Sequence, residues 1–191
     1  MKDLYFATSN SWKFKQAKDY FAEQGVGIKQ FDVDILEPRE EDGEKVARLK
    51  ARTAFNKLQK PLFVLDGSFE IKALNGFPKT YVKLLDKYIG TKGILKLLDG
   101  EDNRRWEFHN VLYYKDQNIE KWFDGITRGS FAEKVPEGRR TKVRDFERIM
   151  IPDRYKITFS QMTDKEYEDY DDKIWKPNVF DSFINWFKGK E

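Results

Sequence analysis

Three groups of side chains in this 191-residue sequence have the types and spacing to do chemistry. Thr8-Ser9-Asn10 stands where a short apolar run, Leu4-Tyr5-Phe6-Ala7, gives way to a helical pattern, and Lys13 follows one turn later. Helix N-terminal N–H groups, a hydroxyl and a nearby ammonium suit phosphate oxygens. The same residues also serve as an ordinary cap, which is the reading they favour by themselves. Glu37 sits in a Pro-containing turn after a predicted strand, and Asp66 at the end of an apolar run. Two carboxylates from separate elements can hold Mg2+, which takes oxygen ligands and keeps waters for a phosphate substrate. An Asp after a strand is equally common turn chemistry. The third group is basic: Lys50, Arg52, Lys79, Lys83, and the run Arg139-Arg140-Thr141-Lys142-Val143-Arg144 with Arg148. Helix lysines usually form a solvated face, whereas the dense run suits phosphates or a nucleic-acid backbone. The sole histidine, His109, lies in an alternating stretch and reads as structural, so a multi-histidine metal centre or a His-based triad is excluded by count.

The elements that must position these groups alternate in type. Strands are predicted at Leu4–Ala7, Ile28–Val33 and Leu62–Leu65, with helices at Ser11–Gln24 and Gly43–Gln59 between them. Strand–helix–strand–helix–strand is the pattern of an α/β sheet with crossover helices, and such sheets place ligands at strand C-terminal ends. Helices are predicted at Thr80–Ile89 and Thr91–Leu98. A hairpin of Trp106–Tyr114 and Asn118–Thr127 follows, turning at Lys115-Asp116-Gln117. Gly125, Gly129 and Gly138 then read as a loop-rich basic segment, Phe146–Ile151 as a strand and Asn178–Phe187 as a closing helix.

With 16% aromatic residues the chain has large apolar side chains enough for a core, which excludes intrinsic disorder. A net charge of +3 is too small to make nucleic acid an expected partner. Zero cysteines exclude a disulfide scaffold, a thiolate metal site and a cysteine nucleophile. Neither a signal-peptide pattern nor a bilayer-length apolar run is present, so a soluble, cytoplasmic protein is expected.

Thr8-Ser9-Asn10-Ser11-Trp12-Lys13 resembles the T-x-N-x-x-K signature of the inosine triphosphate pyrophosphatase family. Four further stretches resemble that family in its own order. They are Leu49-Lys50-Ala51-Arg52, Asp66-Gly67-Ser68, Ala73-Leu74-Asn75-Gly76-Phe77-Pro78 with Tyr81-Val82-Lys83, and Pro152-Asp153-Arg154-Tyr155 with Thr158-Phe159 and Met162. The resemblance implies an α/β fold: an elongated, twisted mixed sheet flanked by helices, as one domain over residues 1–191 with two lobes around a nucleotide cleft. The second lobe is expected to be built largely from the Trp106–Thr127 hairpin.

The resemblance also implies roles. Thr8, Ser9, Asn10 and Lys13 would bind the triphosphate, with Lys50 and Lys83 adding charge there. Lys13 and Asp66 would be catalytic, and Asp66 and Glu37 would hold Mg2+, with Glu40 or Glu41 as substitutes for Glu37. Departures concentrate elsewhere. Leu65 replaces an acid of the family's pair, the base-framing loop reads Arg144-Asp145-Phe146-Glu147-Arg148, and the family's S-H-R becomes Asp171-Asp172-Lys173. Phe146 is expected to stack on the base, with Glu147, Asp172 and Lys173 lining its edge. The expected function is Mg2+-dependent hydrolysis of a nucleoside triphosphate to the monophosphate and pyrophosphate, with altered base specificity and a homodimeric assembly. The alternative is a non-enzymatic nucleotide-binding or regulatory protein on the same fold.

Overall fold

Alternating apolar side chains in the first strand decide the layering. In β1 (Leu4–Ala7), Phe6 points to one face and Ala7 to the other, and both are buried. The computed structural model describes residues 3–36, 38–140 and 144–190. The remaining elements are α1 (Ser11–Glu23), β2 (Ile28–Phe31), α2 (Gly43–Leu58), β3 (Leu62–Ile71), β4 (Pro78–Lys79), α3 (Val82–Leu84), α4 (Gly90–Leu97), β5 (Arg105–Lys115), β6 (Glu120–Phe131), β7 (Met150–Pro152), α5 (Asp164–Tyr170) and α6 (Lys176–Lys190). Seven strands form one mixed sheet in the order β2-β1-β3-β5-β6-β7, with β4 beside β3. β1 runs parallel to β2 and β3, while β3–β4 and β6–β7 are antiparallel. The expected α/β class with a mixed sheet and flanking helices is what the chain adopts.

The chain divides into two compact units, and β3, β5 and β6 contribute to both. The first comprises Met1–Gly67, Asn110–Gly125 and Lys176–Glu191. On one face of its sheet Phe6 and Phe63 stack at 4.6 Å between ring centroids, and Phe21 of α1 and Phe183 of α6 each lie 5.3 Å from Phe63. On the other face Ala7, Leu62 and Val64 meet Ala47, Ala51 and Ala54 of α2. An alanine-lined helix face approaches a sheet closely, which fixes where α2 holds its flanking side chains.

The second unit comprises Ser68–His109 and Ile126–Trp175. Its core gathers Phe69, Ile71, Leu85, Ile94, Trp106, Phe131, Phe146, Ile149 and Met150. The expectation that the hairpin would largely make this lobe is corrected: its tip, Asn110–Gly125, belongs to the first unit, and only the residues flanking it on β5 and β6 belong to the second.

Several element boundaries also differ from the sequence reading. β3 does not stop at Leu65 but runs through Asp66-Gly67-Ser68, because Phe69 and Ile71 are buried and Phe69 pairs with Lys79 of β4. Asp145–Ile149 is a 3-10 helix with only Met150–Pro152 extended, since Phe146 and Ile149 are buried one three-residue turn apart. Residues 85–89 are a π-helical turn rather than regular α-helix. Gly129 lies inside β6, where an added Cβ would sit 2.2 Å from the Ile151 carbonyl oxygen and from the Trp106 ring. Close approach, not loop flexibility, is the requirement for glycine there.

Candidate active site

In the first unit, the end of β1 and the start of α1 form a capped turn. The Thr8 N–H donates to the Phe31 carbonyl (3.1 Å), and the Thr8 carbonyl accepts from Gln30 Nε2 (2.9 Å). Asn10 is the N-cap of α1, and its Oδ1 accepts from the Lys13 N–H (3.0 Å). The Asn10 N–H in turn donates to Thr8 Oγ1 (3.1 Å). The cap reading is therefore right, and it leaves the phosphate reading intact. Both side-chain oxygens act as acceptors, which leaves the Thr8 hydroxyl proton and the Asn10 carboxamide NH2 as donors at the helix start, while the Lys13 N–H is taken by Asn10. Ser9 and Asn10 are exposed, and Thr8 and Lys13 are half-buried.

Lys13 ties this turn to β3. Its Nζ donates to the Leu65 carbonyl (3.2 Å), immediately before Asp66. From α2, the Lys50 ammonium lies 2.5 Å from Asp66 Oδ2, with both side chains 17% exposed. Asp66 Oδ1 accepts from the Gly67 N–H (3.1 Å). Oδ2 is buried and makes no directed hydrogen bond, although Lys50 lies beside it. The distance establishes an ion pair, and the misaligned donor makes that pair electrostatic rather than a directed bond. The structure thus brings Thr8, Asn10, Lys13, Lys50 and Asp66 of the predicted set into one neighbourhood: two ammonium groups, one carboxylate and a donor-rich helix start.

The proposed second metal ligand, Glu37, lies outside the described residues. Its suggested substitute Glu40 is engaged locally, accepting from the N–H groups of Glu41 (2.9 Å) and Asp42 (3.1 Å) and facing Lys45 at 3.6 Å. A buried carboxylate oxygen held, among the described residues, by a neighbouring cation suits a hard divalent ion. Asp66 fits Mg2+ on that chemistry.

The remaining predicted residues lie in the second unit. Lys83 is exposed on α3. Phe146 is fully buried, with its ring stacked 5.4 Å from Phe69. It offers no face to a base, and the stacking expectation is corrected: the side chain is core because its 3-10 turn points it inward beside Ile149. Glu147 accepts from the Arg144 N–H (2.9 Å), and burial pushes its carboxyl above the usual range against the opposing pull of Arg144. Asp172 and Lys173 are exposed on a π-helical turn, Asp171–Trp175, and Lys173 pairs with Asp169 at 2.6 Å. Residues 141–143 of the arginine run lie outside the described residues, and two of its described arginines are engaged. Arg140 covers the Tyr167 ring at 4.2 Å and pairs with Asp164, and Arg148 faces Asp145 at 3.7 Å.

Sequence reasoning did not find the ionic cluster on β3, β5 and β6 in the second unit. Ligand atoms of Glu70, Glu107 and His109 lie within 4.8 Å of one another. Lys72 already bridges Glu70 (3.0 Å) and Glu107 (2.8 Å), and Arg128 reaches Glu107 at 2.8 Å. Lys72 foremost, with Arg128 and His109, holds the Glu107 carboxyl at about 2. Its charge is balanced by side chains.

Comparisons with known proteins give a consistent answer. The model of the Ham1 family matches residues 4–173. A dITP/XTP pyrophosphatase of Thermococcus kodakarensis is 34% identical over 185 residues, covering 97% of both chains. That of Methanopyrus kandleri is 33% identical over 186 residues, covering 97% of this chain and 96% of its own. A HAM1 protein from Coxiella burnetii matches in structure with a TM-score of 0.78 at 18% identity, covering 99% of this chain and 100% of that one. The Staphylococcus aureus Ham1 protein gives 0.74 at 22%, covering 98% and 100%.

Proposed function

The chain belongs to the Ham1 family, and on that premise we propose that it is a Mg2+-dependent nucleoside triphosphate pyrophosphatase, releasing a nucleoside monophosphate and pyrophosphate. The observation that carries the reading is the union of the α1 start with Lys13, Lys50 and Asp66 in the first unit. The relatives named dITP/XTP pyrophosphatases support it.

The chemistry assigned to each group follows from its charge. The α1 N–H groups, the Thr8 hydroxyl and the Asn10 NH2 donate to phosphate oxygens, favoured by the positive helix end. Lys13 and Lys50 neutralise charge that grows on the leaving pyrophosphate as the bond from the α-phosphorus to its bridging oxygen breaks. Asp66 accepts the proton of the water that attacks the α-phosphorus. Asp66 and Glu37 would hold Mg2+, which when bound supplies charge neutralisation on the phosphate oxygens. Lys83 is the further cation assigned to the phosphates by resemblance. Homodimerisation rests on the same resemblance, and a cytoplasmic location on the sequence pattern. Light scattering on the purified chain tests the first. Among the described residues no helix is long and apolar enough to cross a membrane.

Base specificity is the finer part of the proposal. By resemblance Asp172 presents an acceptor where a 6-oxo purine needs a donor, and the donor Lys173 is engaged with Asp169 at 2.6 Å, so selection of ITP or XTP by a hundredfold or more is not expected. An unmatched polar pair is worth about 1–3 kcal/mol, or roughly 5- to 150-fold in kcat/KM. Measuring release of pyrophosphate with Mg2+ from ITP, XTP, GTP, ATP and pyrimidine triphosphates tests both statements. No turnover of any of them, with nucleotide binding retained, would replace the enzyme reading by a binding protein. Leu65 beside Asp66 is the residue that motivates that second reading.

A further inference from the structure

We propose that Lys50 is the resting counter-ion of Asp66, standing where a divalent cation binds, so that cation uptake requires the Lys50 ammonium to withdraw. The inference rests on the reading of Asp66 as a metal ligand. Its basis is the geometry around one oxygen. Asp66 Oδ2 is buried, lies 2.5 Å from Lys50 Nζ, and accepts no directed hydrogen bond. An oxygen arranged for a donor has that donor aligned with it, whereas an oxygen arranged for an ion needs only charge at short range. The carboxylate is also held in place independently of Lys50. Oδ1 accepts from the Gly67 N–H, and the main chain just before it is held by Lys13 through the Leu65 carbonyl.

Lys50 is delivered by the same helix face that packs on the sheet. Ala47, Ala51 and Ala54 are fully buried, and Lys50 lies on α2 one turn from Ala47 and one turn from Ala54. The small side chains bring the lysine stem down to β3, and its flexible four-carbon chain allows the ammonium to leave without moving the helix. A second positive charge cannot share Oδ2 with an ammonium at such a distance, because with both side chains largely shielded from water the repulsion is poorly screened. A phosphate oxygen arriving at the α1 start gives the displaced ammonium a new partner. The Glu70–Glu107–His109 cluster has a comparable ammonium in Lys72, but that lysine bridges two carboxylates and is matched by Arg128, so nothing there calls for its departure.

The test is Mn2+ binding to the nucleotide-free full chain, read by the electron paramagnetic resonance signal of free Mn2+. Lys50→Met should bind Mn2+ at least about tenfold more tightly than the native chain, whereas Lys50→Arg, which keeps the charge, should stay near the native value. Adding Asp66→Asn to Lys50→Met should abolish the gain and so locate it. Lys50→Gln gives the same comparison should the methionine variant fold poorly. Equal or weaker Mn2+ binding by the charge-free variants overturns the proposal. With pyrophosphatase activity assayed separately, absence of the Mn2+ effect with activity present refutes the role of Lys50 alone. The Mn2+ effect without activity refutes the enzymatic reading alone.

Discussion

Replacing Asp116 by Asn should destabilise the protein at neutral pH and make almost no difference near pH 2. Asp116 closes the β5–β6 turn in the first unit. Its Oδ1 accepts from the N–H groups of Asn118 (2.8 Å) and Ile119 (2.7 Å), and its Oδ2 accepts from the Tyr114 hydroxyl (2.9 Å) and the Lys190 ammonium of α6. Partial burial pushes the carboxyl up, but Lys190, the two N–H groups and Tyr114 together pull it from 3.8 to about 2. A carboxyl lowered in the folded state binds its proton more weakly there than in the unfolded chain. Its contribution is therefore complete above about pH 4, and is lost as pH falls through the folded value of about 2.

At about 1.36 kcal/mol per pKa unit, the full contribution is about 2.4 kcal/mol. The side chain is 17% exposed, and solvent screening reduces the figure to about 1–2 kcal/mol. Asp116→Asn keeps an oxygen for the two turn N–H groups, so the loss should come from the charge. Urea unfolding of both proteins at several pH values measures the gap directly. A gap that stays constant between pH 7 and pH 2.5 would refute the reasoning, because the loss would then be one of packing or turn geometry.

Four further outcomes are expected. Asp66→Asn should lower kcat about 100- to 10,000-fold with an unchanged circular dichroism spectrum, as expected for loss of a general base or metal ligand. Phe146→Ala should destabilise by about 3–5 kcal/mol, and Phe146→Leu should retain native KM for nucleotide, since the ring is core; a raised KM at native stability in the leucine variant would restore the base-stacking role. Glu147→Gln should flatten the decline of stability with rising pH: burial raises this carboxyl, so the folded state holds its proton more tightly and loses stability as pH climbs through the folded value, which urea unfolding at pH 5 and pH 8 resolves. Asn10→Asp should keep stability within about 0.5 kcal/mol, because both are good caps, and raise nucleotide KM about 10- to 150-fold by replacing a donor with an anion.

What was legible in the sequence was mostly short-range. β1 occupies its predicted residues, and the start of α1 was visible because cap chemistry is decided within four residues. Where longer-range contacts decide, local signals misled. Asp66-Gly67-Ser68 has turn composition, yet pairing between Phe69 and Lys79 carries β3 through it. Gly129 suggested a loop, although it lies in β6 where a Cβ would collide with the Ile151 carbonyl oxygen. α5 was missed despite a readable signal. Thr163 and Glu166 form a capping box, in which Glu166 N–H donates to Thr163 Oγ1 and Thr163 N–H donates to Glu166 Oε2.

The site divides along the same line. Thr8, Asn10 and Lys13 belong to one turn, so their arrangement follows from local geometry. Lys50 and Asp66 belong to separate elements, and no local pattern reports that α2 lays one against the other. That contact depends on Ala47, Ala51 and Ala54 being small enough for close packing. Phe146 shows the opposite error, since an aromatic in a motif-like loop reads the same whether it faces ligand or core, and only its neighbours Phe69 and Ile149 decide. The cap itself carries the chemical point. Because Thr8 Oγ1 and Asn10 Oδ1 accept N–H groups within the turn, what the turn presents to a ligand is biased toward donors. A structural cap and an anion site are then one arrangement, in which folding occupies the two side-chain oxygens and the Thr8 hydroxyl proton and Asn10 NH2 are left to the substrate.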